Sequence, residues 1–178
     1  KDLYPLIIFS HGKGGYAKQN TVQFEELVSN GYIVASIDHS YDALITLFSD
    51  GSTAPYVSDN PKKVGGKINS DKITNDKLIS RVADVKYLLD KIWFDNVYHP
   101  IFGMIDTSRV GMFGHSFGVA TTILSAQEDN RIKAIAGLDG WFEPISSKNL
   151  NKGVDVPFLH LGQKEWRFNP MNYKKMDI

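Results

Sequence analysis

Gly114-His115-Ser116-Phe117-Gly118 reads G-x-S-x-G, and its flanks constrain the fold more than any other stretch of this chain. The apolar run Arg109-Val110-Gly111-Met112-Phe113 before it reads as a buried strand, and residues 119–124 after it are small and helix-compatible. Strand, sharp turn and helix is the context of a nucleophile elbow. Such a turn holds its serine in a strained backbone conformation. Side chains at the flanking glycine positions would strike neighbouring backbone. Ser116 is therefore read as a nucleophile, lifted clear of a sheet at the start of a helix.

The remaining pattern supplies that sheet. Leu6-Ile7-Ile8-Phe9 reads as a buried strand closed by Ser10-His11-Gly12, and Tyr32-Ile33-Val34-Ala35-Ser36-Ile37 as a second, ending in Asp38-His39. Residues 110–113 form the third. Residues 132–138 form a fourth, ending in Asp139-Gly140-Trp141, and residues 156–161 a fifth. Val22, Phe24, Leu27 and Val28 recur at helical spacing before an Asn30-Gly31 stop. Leu78, Ile79, Val82, Val85, Leu88, Leu89 and Ile92 predict a long amphipathic helix, with Asp71 or Asn75 as its cap. Arg81 and Asp84 read as a surface i,i+3 pair on it. Residues 41–70 are polar and punctuated by Gly and Pro, a long functional or mobile loop. Strands apolar on both faces, alternating with helices, predict an α/β fold: a mostly parallel sheet covered by helices on both sides. The length of 178 residues fits a single domain over 1–178.

A serine hydroxyl needs a base, an acid to orient that base, and donors for the oxyanion it creates. The elbow supplies one donor, the backbone N–H of Phe117. The second is expected from the loop after the first strand, where Ser10-His11-Gly12-Lys13-Gly14-Gly15 puts the N–H of Lys13. The bulk composition excludes other chemistries. With no cysteine, thiolate catalysis and zinc–thiolate sites are absent. Twenty basic and twenty acidic residues with no basic stripe argue against nucleic acid as a partner. No run is long enough to span a membrane, and no histidine pair has i, i+4 metal-ligand spacing, so neither metal nor cofactor is expected.

Four segments carry a resemblance: Tyr4-Pro5-Leu6-Ile7-Ile8-Phe9-Ser10-His11-Gly12, Gly31-Tyr32-Ile33-Val34-Ala35-Ser36-Ile37-Asp38-His39, Gly114-His115-Ser116-Phe117-Gly118 and Gly137-Leu138-Asp139-Gly140-Trp141. In these the chain resembles the platelet-activating-factor acetylhydrolase group of α/β-hydrolases, near the dienelactone hydrolase-like and polyester-hydrolase branches. The resemblance implies an α/β-hydrolase fold with Ser116 as nucleophile, Asp139 as triad acid, and the amides of Lys13 and Phe117 as the oxyanion hole. Glu165, after the next strand, is the rival acid, and Asp139 as a plain turn residue is the alternative to a catalytic role. The base departs from the family pattern. It should follow the acid in chain order, and the only histidine that does is His160, flanked by apolar residues. The family's base is expected beyond Ile178, on a loop after a further strand. Both chain ends read as cut, so the fold is expected to be truncated at its C-terminal end.

His11 and His115 flank the pocket, His39 ends a strand where it could touch substrate, and His99 reads as a surface loop residue. Trp141, Phe142, Phe117 and Tyr41 are candidate walls of an apolar pocket or plain packing, with Trp166 and Phe168 as a rim. The expected function is cofactor-free hydrolysis of a small-molecule ester or phospholipid, of short acyl chain by resemblance. The alternatives are a catalytically incomplete domain that binds a ligand or protein, and an acyl-transfer or amide-cleaving enzyme on the same elbow. The start at Lys1 favours a bacterial exported or surface-associated protein over a cytoplasmic one.

Overall fold

A computed structural model describes residues 2–58, 70–95, 99–164 and 172, with only the backbone of residues 70–73. Five strands, β1 (Tyr4–Ser10), β2 (Ile33–Ile37), β5 (Ile105–His115), β6 (Ile132–Leu138) and β7 (Phe158–Leu161), pair in parallel in the order β2-β1-β5-β6-β7. Parallel neighbours need crossovers, and the helices α1 (Thr21–Ser29), α2 (Ser70–Asp95) and α3 (Phe117–Glu128) lie within them. A short helix, α4 (Ser147–Lys152), precedes β7. Among the described residues no helix is long and apolar enough to cross a membrane.

The alternation of side chains along β1 explains the two-sided cover. Leu6 and Ile8 are fully buried against Leu78, Val82, Val85 and Leu89 of α2 and Val119, Ala120 and Ile123 of α3. Phe9 points to the other face, where its ring meets Phe24 of α1 edge-on at 5.1 Å and Phe113 at 4.7 Å. Each fully buried Leu or Ile contributes about 1.5–3 kcal/mol, so this core holds the helices to the sheet. In α3, every residue from Phe117 to Ser125 is buried. That explains its small, uniform composition in place of an amphipathic stripe.

Three expectations are refined. The long helix begins at Ser70, so Asp71 and Asn75 lie inside it and do not cap it. The third predicted strand starts earlier, at Ile105, because β5 has two paired stretches. Tyr4 and Pro5 pair with Ile105 and Asp106, then the register jumps so that Leu6 pairs with Val110. The polar stretch after Tyr41 contains an antiparallel hairpin, β3 (Ile45–Leu47) with β4 (Thr53–Pro55); residues 59–69 lie outside the described residues, as do Glu165, Trp166, Phe168 and the last six residues. Finally, β1 carries β2 on one side and β5 on the other. The chain therefore leaves β1 toward β2 and leaves β5 toward β6, in opposite directions, and a crevice opens beyond the carboxyl ends of β1 and β5.

Candidate active site

Ser116 lies at that crevice, between the end of β5 and the start of α3. Its φ of 52° and ψ of −115° fall where a residue with a side chain is strained by about 1–3 kcal/mol. The strain is held by its neighbours. Its N–H donates to Leu138 O at 2.9 Å, and its carbonyl accepts from Val119 N–H at 3.0 Å and Trp141 N–H at 3.1 Å. The elbow closes only because Gly114 and Gly118 lack side chains. A Cβ on Gly114 would overlap the backbone of Gly118, and one on Gly118 would overlap the Ser10 carbonyl of β1. The sequence spacing G-x-S-x-G is thus a requirement of close backbone packing between β5, α3 and the β1 loop.

The loop after β1 runs beside the serine. A Cβ built on Gly12 would stand 3.4 Å from Ser116 Cβ and 2.9 Å from His115 Nδ1. Gln19 clips this loop to the elbow: its Oε1 accepts from Gly12 N–H at 3.2 Å and its Nε2 donates to His115 Nδ1 at 2.7 Å. Lys13 follows Gly12 directly, with its Nζ 5.5 Å from the centre of the Trp141 ring. Phe117, with the other candidate amide, opens α3, whose N-terminal dipole favours negative charge.

Asp139 follows β6 directly, at a positive φ of 54° like that of Ser116. Its N–H donates to Leu161 O at 2.6 Å, and its Oδ1 accepts from Gln163 N–H at 3.2 Å. The next peptide N–H, of Gly140, donates to His160 Nε2 at 3.1 Å. Asn172 braces the turn from behind, donating to Gly140 O at 2.9 Å and accepting from Phe142 N–H at 2.6 Å. Burial pulls the affinity of His115 and His160 for protons down, and the nearby charge of Asp139 opposes that. The bond from Trp141 N–H to Ser116 O joins the acid turn to the elbow.

The other sequence-predicted residues are placed less openly. His39 is 1% exposed; its Nε2 bonds to Ser10 Oγ at 2.9 Å and its Nδ1 to Asp84 Oδ2 at 2.8 Å, so its ring is committed to the interior. Phe142 is 3% exposed and packs edge-on against His160, while Phe117 is fully buried under Trp141. Of the wall candidates among the described residues, Trp141 is half-buried and Tyr41 exposed, while Phe117 and Phe142 are buried. The ring bonds of His11, His39, His115 and His160 all go to groups other than Ser116 Oγ, and His99 stacks on Phe102.

Arg81 and Asp84 are not a surface pair. Arg81 is 1% exposed and bonds to Asp42 Oδ2 at 2.5 Å; Asp84 turns to His39. Burial holds the Asp84 carboxyl above its usual range, with the Arg81 charge opposing. Gln19, Asp42, Arg81 and Asn172 were invisible as site residues in the sequence, because each reaches a partner distant along the chain.

A strained serine elbow, a first-strand amide loop and an acidic turn, all at the carboxyl edge of a parallel sheet, are the marks of the α/β-hydrolase class. Within that class, the chain belongs to the family described as platelet-activating factor acetylhydrolase, isoform II, whose family model matches residues 1–178. It is similar to the platelet-activating factor acetylhydrolases of Gallus gallus (24% identical, over 97% of this chain and 47% of the relative) and Cavia porcellus (30%, over 90% and 40%). Among solved structures it is similar to a ferulic acid esterase from Streptomyces cinnamoneus. The TM-score is 0.77 and the identity 26%, over 98% of this chain and 46% of that one. The chain thus spans less than half the length of these relatives.

Proposed function

We propose that this chain carries the nucleophile, acid and oxyanion donors of a serine ester hydrolase. The observation that supports this most is Ser116 itself: a serine held at positive φ by three backbone bonds, at the helix start that faces the crevice. Maintaining strain at a serine is otherwise a cost without a return. In this reading Ser116 Oγ attacks an ester carbonyl, and a base oriented by Asp139 removes its proton. The amides of Phe117 and Lys13 hold the developing oxyanion, and water then releases the acyl group. The ring bonds of the buried and half-buried histidines go to groups other than Ser116, so we assign the base to a histidine outside these 178 residues, and the labelling and kinetic tests below use protein that carries it. Trp141 forms one wall for the acyl or alkyl group. Family membership favours short acyl esters of phospholipids or general carboxylesters.

The same histidine geometry favours a second reading, a catalytically incomplete domain that binds an ester-like ligand or a protein. An intact mass before and after a fluorophosphonate probe separates the two. One probe added per molecule, and lost in Ser116→Ala, is the result expected of the hydrolase. A folded protein that takes up no probe would favour the binding domain.

A further inference from the structure

We infer that Arg81, anchored by Asp42, is a positioning residue that aims the Lys13 amide into the oxyanion hole. This rests on the ester-hydrolase reading above.

One peptide unit joins Gly12 to Lys13. Gly12 C=O and Lys13 N–H belong to the same planar trans amide, so fixing the carbonyl fixes the direction of the N–H on the opposite side. Gly12 O is held by three donors: His11 Nδ1–H at 2.6 Å, Gly15 N–H at 2.9 Å and Arg81 Nη2 at 3.3 Å. Arg81 Nη1 also donates to the preceding carbonyl, His11 O, at 2.6 Å. One guanidinium fork therefore grips two successive carbonyls immediately before Lys13. Its third edge, Nε, is fastened to Asp42 Oδ2. Asp42 in turn accepts Gly14 N–H on its own carbonyl at 3.1 Å, so the peptide after Lys13 is tied to the same platform. The face of the guanidinium lies 4.5 Å from the centre of the Phe117 ring, the residue bearing the other candidate amide. One buried cation thus touches the elements that carry both donors.

The charge has a second effect. A cation on the carbonyl end polarises the amide and makes its N–H a stronger donor, by roughly 10–30% per bond in a hydrogen-bonded chain. Lysine cannot replace this, because a single ammonium has no planar fork to span two carbonyls and a carboxylate together.

The test compares Arg81→Lys and Asp42→Asn with wild-type protein and with Val85→Ala, a core truncation on the same helix. Circular dichroism confirms that each is folded. The expected result is that Arg81→Lys and Asp42→Asn label with fluorophosphonate about 10–100-fold more slowly than wild type. With a short-chain p-nitrophenyl ester, kcat falls by the same factor and KM stays within about twofold. A trifluoromethyl ketone, which forms a tetrahedral oxyanion on the serine, should weaken in parallel. Val85→Ala should melt earlier yet label at the wild-type rate. Folded Arg81→Lys with wild-type labelling and kcat, or with a change in KM alone, overturns the inference while the hydrolase reading stands. Wild-type protein that neither labels nor turns over overturns both.

Discussion

At the scale of single residues, Ser116 stands in a backbone conformation that costs stability. Its φ of 52° is a conformation that glycine adopts without cost. Ser116→Gly should therefore abolish fluorophosphonate labelling while making the fold about 1 kcal/mol more stable, read as a higher Tm. Ser116→Ala should abolish labelling with no such gain. The flanking glycines have the opposite logic: Gly118→Ala drives a Cβ into the Ser10 carbonyl and should cost at least about 3 kcal/mol or prevent folding, as seen in a denaturant melt. For the acid, Asp139→Asn should lower kcat by about 10⁴-fold, by analogy with other triads, whereas Glu165→Gln should change it little. The reverse outcome in steady-state kinetics would move the acid to Glu165.

At the scale of elements, the loop after β1 makes the site sensitive to acid. Burial, reinforced by the Arg81 charge, pulls His11 down to about 4 from its ordinary 6.5, against the opposing pull of Asp38 and Asp42. The unfolded chain takes up a proton near pH 6.5, and the folded chain does not until about 4. Stability is therefore full above pH 6.5 and is lost as the pH falls through that window. His39, His115 and His160, all depressed chiefly by burial, act in the same direction. Thermal melts at pH 7 and pH 4.5 should differ more for wild type than for His11→Gln. The elements themselves were legible in the sequence where local pattern decides them: the apolar runs became β1, β2, β6 and β7, and the elbow formed between β5 and α3. The first part of β5 was not, because residues 105–109 are mixed in polarity and pair across a register jump that only β1 reveals. Nor was the Arg81 network. An Arg and an Asp three apart on a helix look the same whether solvent or a distant Asp42 and His39 receive them. Burial of a charge is decided by partners across the fold, which periodicity does not report.

At the scale of the whole molecule, these 178 residues carry no net formal charge and so add no monopole field to steer a charged ligand. Among the described residues β7 is an outer strand, and it exposes Phe158, Leu159 and Leu161, at 37%, 60% and 57%. An apolar strand at a sheet edge is a template for pairing with another chain. The 178-residue chain should self-associate on concentration, and Leu159→Lys should delay this in light scattering without lowering Tm. The centre of the molecule behaves differently. The peptide groups of Ser116 are stitched to Leu138 on one side and to Val119 and Trp141 on the other. The turn of Ser116 and the turn of Asp139 are thereby joined through the backbone. In the proposed hydrolase their spacing is fixed by these backbone bonds and need not be found again at each turnover. The Trp141 amide is the gauge of that union: its hydrogen exchange should stay as slow as that of the Ser116 amide for as long as the two remain joined.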